Sequence, residues 1–110
     1  AVSAGAAAGA GIAYLCGGGY DEVIHTVVNA LAIVSGMVCD GAKASCAAKI
    51  ASSVDAGILG YNMYLNGQQF YAGDGIVTKG VEATIGNIGR LGKDGMRETN
   101  EEIIKMVIEE

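Results

Sequence analysis

The sequence has few of the side chains that usually fill a protein core or bind nucleic acid. It contains no tryptophan and one phenylalanine, whereas 18 of its 110 residues are glycine. A core built from such residues consists of small side chains, which let helix backbones approach closely. Seven basic residues against 12 acidic ones give a net charge of -5. Because phosphate binding needs clustered cations, we expect no nucleic-acid partner.

The cysteine count argues against a disulfide framework. Cys16, Cys39 and Cys46 are an odd set, and secreted domains favour an even count with paired spacing, so we expect a reducing, cytoplasmic compartment. Three thiols suit a metal or iron–sulfur site that keeps one coordination position open. Zinc is less attractive, because a structural zinc site takes four ligands and His25 is the only histidine. Since no C-x-x-C pair is present, buried free cysteines remain an open alternative.

Two uncharged stretches, residues 1–20 and 23–39, approach the length of a membrane-spanning helix. The first is mostly alanine and glycine, which contribute little to insertion, and the second contains His25, Thr26 and Asn29. No aromatic belt or basic flank frames either stretch. We therefore expect buried helices of a soluble protein and no membrane partner.

Helical periodicity runs through most of the chain, and no segment alternates in the way that predicts a strand. The sequence therefore predicts an all-α fold, a compact bundle of about five Ala/Gly-rich helices in a single domain, residues 1–110. The predicted helices cover residues 2–15, 22–35, 42–59 and 76–91, and a Thr99–Glu102 capping box opens the last helix. Residues 60–75 are expected to form a long irregular loop, which contains an Asn-Gly turn signal.

Several single residues carry structural predictions. Gly5 and Gly9 share one helix face, and this spacing predicts a close contact with another helix. Asp21 and Asp74 are interpreted as N-caps of the second and fourth helices. Asp40 is interpreted as the residue that orients its loop through an Asx-turn.

The spacing of the cysteines constrains how they can meet. If Cys39 and Cys46 shared one helix, their α-carbons would lie about 10 Å apart along its axis, which is awkward for ligands of one small cluster. We therefore place Cys39 in the loop before the helix, and expect Cys16, at a helix end, to approach from another direction. Lys43 and Ser45 lie between the two presumed ligands and are candidates for binding a substrate carboxylate. The more ordinary interpretation is solvation of the helix start.

Two segments carry a family resemblance, GMVCDGAKASCAAKI at 36–50 and GDGIVTKGVEATIGNIGRLGKDGMRETNEEI at 73–103. Together and in this order they resemble the C-terminal region of the L-cysteine desulfidase family, which is similar to the alpha chain of iron–sulfur L-serine dehydratase. The resemblance extends over most of the chain, from Ala4 to Glu109. Serine dehydratases space their second and third cysteines more widely, so the short gap between Cys39 and Cys46 favours the desulfidase side.

The resemblance implies a 4Fe-4S cluster held by Cys16, Cys39 and Cys46, with one iron left open for an amino-acid substrate. It implies α,β-elimination of L-cysteine to pyruvate, ammonia and sulfide, with L-serine dehydration as an alternative. The catalytic base is expected in a remaining N-terminal part of the enzyme, so this C-terminal, cluster-binding fragment alone should be inactive. A homo-oligomer is a further partner to consider. The competing hypothesis is a non-catalytic helical module with buried free cysteines.

Overall fold

The apolar, small-residue segments of the sequence form five helices. The computed structural model describes residues 1–41 and 43–109. Helix α1 spans Val2–Leu15, α2 spans Tyr20–Val34 and α3 spans Ala44–Leu65. Helix α4 spans Val81–Arg90, a π-helical turn follows at Leu91–Gly95, and α5 spans Arg97–Ile108. Within these two described ranges there is no strand, so the predicted all-α fold is confirmed.

Glycines allow α1 and α3 to pack backbone against backbone. A Cβ atom added to Gly9 would lie 2.8 Å from the Cα of Gly57, and one added to Gly5 would meet the backbone of Ser53. No side chain fits at either position unless the two helices move apart. The close helix contact predicted for Gly5 and Gly9 is therefore confirmed, and its partner is α3.

The core lies where α1, α2 and α3 meet, and it is small. Its buried apolar side chains come from these three helices and from the loop after α3, and they are Ala6, Ala13, Val28, Ala30, Leu31, Ala56, Tyr61 and Val77. The largest fully buried side chains are polar: Asn29, Thr26, Thr84 and Ser53. Each of these four makes a hydrogen bond, as buried polar groups must if they are not to destabilise the fold.

Helix α3 is longer than the sequence predicts. The expected end at Leu59 is wrong, because the helix continues to Leu65 and the irregular loop spans residues 66–80 instead of 60–75. Gly60 lies inside the helix, where an added Cβ would lie 3.0 Å from the Cβ of Asn29 on α2. This glycine therefore permits α2 to pack on α3 and does not end the helix. The predicted start at Ala42 lies outside the described residues.

The loop 66–80 also extends further than predicted at its other end. Helix α4 begins at Val81 and not at Ile76, after Gly80 with a φ of 96°. The N-cap prediction for Asp74 is wrong, because its carboxylate accepts a hydrogen bond from the backbone N–H of Tyr71 at 2.7 Å, within the loop. At the helix start, the buried hydroxyl of Thr84 lies 3.1 Å from the carbonyl oxygen of Gly80 and bonds to it.

Helix α2 begins earlier than predicted. Its first residue is Tyr20, so Asp21 lies in the first turn and is not the N-cap. The carboxylate of Glu22 reaches back and accepts a hydrogen bond from the backbone N–H of Gly19 at 2.8 Å. A glutamate at the third helical position satisfies an otherwise unpaired backbone donor in this way.

Helix α5 projects from the bundle. It begins at Arg97, so Thr99 lies inside it and the predicted capping box with Glu102 is not formed. Among the helical elements, α5 contacts only the π-helical turn that precedes it. Across residues 1–41 and 43–109, no helix combines the length and the hydropathy needed to cross a membrane.

Candidate functional site

Two of the three cysteines lie at one cavity. Cys39 stands in the loop before α3, as predicted, and Cys46 lies in the first turn of that helix. Both line a cavity of about 60 Å³ that is also lined by Ala1 and Val2, at the start of α1. Cys39 is exposed and Cys46 is half-buried. We refer to Cys39 and Cys46 as the thiol pair.

Cys16 lies at the opposite end of α1 from the thiol pair. It is the C-cap of a 14-residue helix whose first residue, Val2, lines the cavity of the thiol pair. At 1.5 Å per residue, this places Cys16 about 20 Å away. The expected convergence of three sulfurs is therefore absent from this arrangement. Within residues 1–41 and 43–109, no three His, Cys, Asp or Glu side chains are grouped closely enough to hold a metal ion.

Cys16 instead lies beside Tyr61, on α3. Tyr61 is buried, with 8% of its surface exposed. This burial raises the pKa of Tyr61, and the neighbouring Cys16 raises it further. The surroundings of Cys16 thus differ from those of the thiol pair, and Cys16 remains a cluster ligand only by prediction.

A lysine on α3 ties the Cys39 loop to the helix. The Nζ of Lys49 donates a hydrogen bond to the carbonyl oxygen of Val38 at 2.9 Å and another to the Asp40 carboxylate at 2.8 Å. The Lys49 side chain is 24% exposed, so its charge is largely shielded from solvent. The hydrogen bond from Lys49 is the main reason that the pKa of Asp40 lies below its ordinary value. We call Lys49, Val38 and Asp40 the lysine clamp.

The residues between the cysteines have different surroundings from those predicted. Ser45, a candidate for substrate binding or for solvation of the helix start, has its hydroxyl 3.3 Å from Asp40 Oδ1 and donates to that carboxylate. Asp40 orients the loop through side-chain contacts with Lys49 and Ser45. The predicted Asx-turn would be closed by the backbone N–H of residue 42, which lies outside the described residues. Lys43 directly precedes α3 and is exposed.

Two polar residues that share a face of α2 serve the packing of the fold. The ring of His25 stacks on that of Tyr64, with centroids 5.1 Å apart and planes 8° from parallel. Asn29 is fully buried, and its amide donates to the carbonyl oxygen of Gly60 at 3.0 Å. Its side-chain oxygen accepts a hydrogen bond from the N–H of Phe70 at 3.2 Å. Asn29 is therefore a core residue, and the half-buried His25 makes a contact between α2 and α3.

A groove lies between α5 and the Cys39 loop. Its volume is about 450 Å³, and its lining residues are Cys39, Asp40, Gly41, Asn100, Ile103, Ile104, Val107 and Ile108. Three of the apolar α5 side chains are largely exposed: Ile104 at 58%, Val107 at 57% and Ile108 at 76%. Cys39 thus lies between the cavity of the thiol pair and an uncovered apolar surface, which we call the α5 groove.

Lys49 is the residue of this site that the sequence analysis missed. A lysine inside an Ala-rich helix is usually interpreted as a surface residue. The sequence feature that could have identified Lys49 as part of the site is its spacing from Cys46, because residues three apart lie on the same helix face. That spacing places the ammonium near the first turn of α3, where the thiol pair lies.

Comparison with known proteins relates the chain to an enzyme subunit. A family model described as serine dehydratase alpha chain matches residues 1–105. A UPF0597 protein of Desulfitobacterium hafniense is 69% identical over 107 residues, which is 97% of this chain and 25% of that protein. UPF0597 proteins of Lachnoclostridium phytofermentans and Finegoldia magna are 54% and 52% identical, over 98% and 97% of this chain and 26% of each relative.

The chain therefore spans about a quarter of the length of the curated relatives that it matches. No solved structure matches it.

Proposed function

This chain belongs to the serine dehydratase alpha chain family, and we propose that it is the thiol-bearing part of an iron–sulfur lyase that acts on L-cysteine. The observation that carries the proposal is the placement of the thiol pair at one cavity, beside the α5 groove. Thiolates are the ligands that iron–sulfur clusters take from proteins. The short spacing between Cys39 and Cys46, which resembles that of the desulfidases, favours L-cysteine over L-serine as the substrate.

The proposed cofactor is a 4Fe-4S cluster. Cys39 and Cys46 fit two of its ligand positions, because both residues line the same cavity. Cys16 does not fit the third position in this arrangement, since a 14-residue helix separates it from the cavity. When bound, such a cluster supplies a Lewis-acidic iron that stabilises a departing anionic group.

The proposed reaction is an α,β-elimination. A base takes the α-proton of L-cysteine, and the Cβ–S bond breaks with its electron pair leaving on sulfur as sulfide. The resulting aminoacrylate is hydrolysed to pyruvate and ammonia. From this chain we propose Lys43 as a contact for the substrate carboxylate, because it is exposed directly before α3. Ser45 is a second candidate, although its hydroxyl bonds to Asp40.

The remainder of the polypeptide is the proposed partner of this chain. The matched relatives are about four times as long, and we propose that this chain is likewise part of a longer polypeptide. The α5 groove offers that remainder an apolar surface adjoining Cys39. Exposed apolar surfaces of this kind mark interaction sites. The general base and the rest of the substrate pocket are proposed to come from there, so this chain alone is expected to be inactive.

Two alternative functions, L-serine dehydration and a non-catalytic helical module, are supported to different degrees. Dehydration of L-serine is favoured by the description of the matching family model. A non-catalytic module with buried free cysteines is disfavoured, because Cys16 and Cys39 are exposed and only Cys46 is half-buried. Exposed thiols without disulfide partners also support the proposed cytoplasmic location.

The test uses the full-length protein purified without oxygen. We expect bound iron, a brown colour with thiolate-to-iron absorption, and release of pyruvate and sulfide from L-cysteine. Cys39→Ala should lose both the iron and the activity, with the fold retained by circular dichroism. A variant that kept its iron and its turnover would overturn the proposal. Pyruvate from L-serine without turnover of L-cysteine would instead favour the dehydratase.

A further inference from the structure

The lysine clamp holds the chain on both sides of Cys39. One hydrogen bond of Lys49 ends on the carbonyl oxygen of the preceding residue, Val38, and the other ends on the carboxylate of the following residue, Asp40. Both are at ordinary hydrogen-bond distances for an ammonium group, 2.9 and 2.8 Å. The backbone position of Cys39 is therefore tied to α3 from either side.

The direction of the lysine side chain explains why the clamp holds the Cys39 loop near the first turn of α3. Side chains on a helix lean toward its N-terminus, so Lys49 reaches back over the first turn of α3. Cys46 lies in that turn, on the same face and one turn before Lys49. A loop anchored by the Lys49 ammonium must consequently pass close to Cys46.

The loop itself contains residues that allow other conformations. Gly36 and Gly41 flank its central residues, and Gly41 has a φ of 110°, which side-chain-bearing residues rarely adopt. Flexible loops need specific contacts to hold one geometry, because ordering a residue costs conformational entropy. Around Cys39, the hydrogen bonds that hold this loop on α3 come from Lys49 and, through Asp40, from Ser45, while Ser53 of α3 bonds to Met37 earlier in the loop.

We infer that Lys49 is a positioning residue that holds Cys39 beside Cys46 as a pair of ligands for one soft metal centre. This inference rests on the proposed function, because it assigns Lys49 a role toward the same thiol pair. Neighbours that orient metal ligands typically change metal affinity 10- to 100-fold when they are removed.

The probe for the test is Cd²⁺ alone, titrated into the reduced, iron-free full-length protein. Its thiolate-to-metal absorption in the ultraviolet reports ligation directly, independently of activity. The absorption that is lost both in Cys39→Ser and in Cys46→Ser is assigned to Cd²⁺ bound at the thiol pair. Lys49→Met keeps the length of the side chain and removes its charge and its donors. We expect it to bind Cd²⁺ at this pair about 10- to 100-fold more weakly than the wild type.

Two further variants make the result specific. Lys105→Met is the matched control, since it breaks an exposed lysine–glutamate pair on α5 and should leave Cd²⁺ binding unchanged. Asp40→Asn removes one charged partner of the clamp and should weaken binding less than Lys49→Met. Its effect can be measured even if Lys49→Met does not fold.

The outcomes separate this inference from the proposed function. Binding at the pair that is equally tight in the wild type, Lys49→Met and Asp40→Asn overturns the role of Lys49 and leaves the thiol pair standing. The absence of any Cd²⁺ signal that depends on both cysteines overturns the proposed site, and the role of Lys49 with it. Loss in Lys49→Met with retention in Lys105→Met supports the inference.

Discussion

The contact between α1 and α3 predicts opposite effects for one substitution at two positions of the same helix. A Cβ added to Gly9 would lie 2.8 Å from the Cα of Gly57 and 3.0 Å from its carbonyl oxygen. Both atoms belong to the backbone, so the helices must separate to make room. Overpacking of this kind costs about 1–3 kcal/mol. At Gly11, an added Cβ meets nothing within 4 Å.

Gly11→Ala should therefore stabilise the protein by up to about 1 kcal/mol, because alanine is the better helix former. Gly9→Ala has the same gain in helix propensity, so the difference between the two variants isolates the packing term of about 1–3 kcal/mol. Gly9→Leu should be less stable than Gly9→Ala, because its larger side chain forces a wider separation of the helices.

Thermal unfolding followed by circular dichroism measures this difference. For a chain of this size, 1 kcal/mol shifts the melting temperature by roughly 4 °C, so Gly9→Ala should melt roughly 4–12 °C below Gly11→Ala. Equal melting temperatures for Gly9→Ala and Gly11→Ala would refute the close contact between the helices.

Three further predictions test the core, the surroundings of Cys16 and the α5 groove. Asn29→Ala should lower the free energy of unfolding by about 1–3 kcal/mol, because it leaves the backbone groups of Gly60 and Phe70 unpaired. An unchanged midpoint of urea denaturation would contradict this prediction. Cys16→Ala should lower the raised pKa of Tyr61 while burial keeps it above the ordinary 10.0, which an ultraviolet titration can check. Because the folded state has the raised pKa, the stability contributed by Tyr61 is complete below about pH 10 and is lost as the pH rises. In the full-length protein, we expect the rest of the polypeptide to cover the α5 groove, so Val107→Asp should lower the free energy of unfolding by about 2 kcal/mol. The control Glu98→Gln, on the opposite face of α5, should stay within about 0.5 kcal/mol of the wild type. Equal melting temperatures for the two variants would contradict a covered groove.

The all-α class and the glycine contact could be predicted because both depend on local spacing. Apolar residues at helical intervals specify a helix before any partner is known. Gly5 and Gly9 predict a close helix contact, because glycines on one face of a helix leave space that the backbone of another helix can fill.

Helix ends were harder to predict than helices. Gly60 suggested an end to α3, but its missing side chain makes room for Asn29 on α2. Glycine both ends helices and permits close packing between them, so its role depends on what lies opposite. At Asp74, the carboxylate bonds to a loop N–H and not to a helix start.

The sequence by itself determined the helical class, the small-residue contact of α1 with α3, the placement of Cys39 in a loop before α3, and the family resemblance carried by the cysteine segment. Only the tertiary structure decided which cysteines share a cavity. Cys39 and Cys46 line one cavity, and the lysine clamp ties the Cys39 loop to α3, whereas the length of α1 keeps Cys16 at its far end. Such pairings depend on the direction in which each helix runs and on which side chain reaches across. Residue spacing along the chain specifies neither of these.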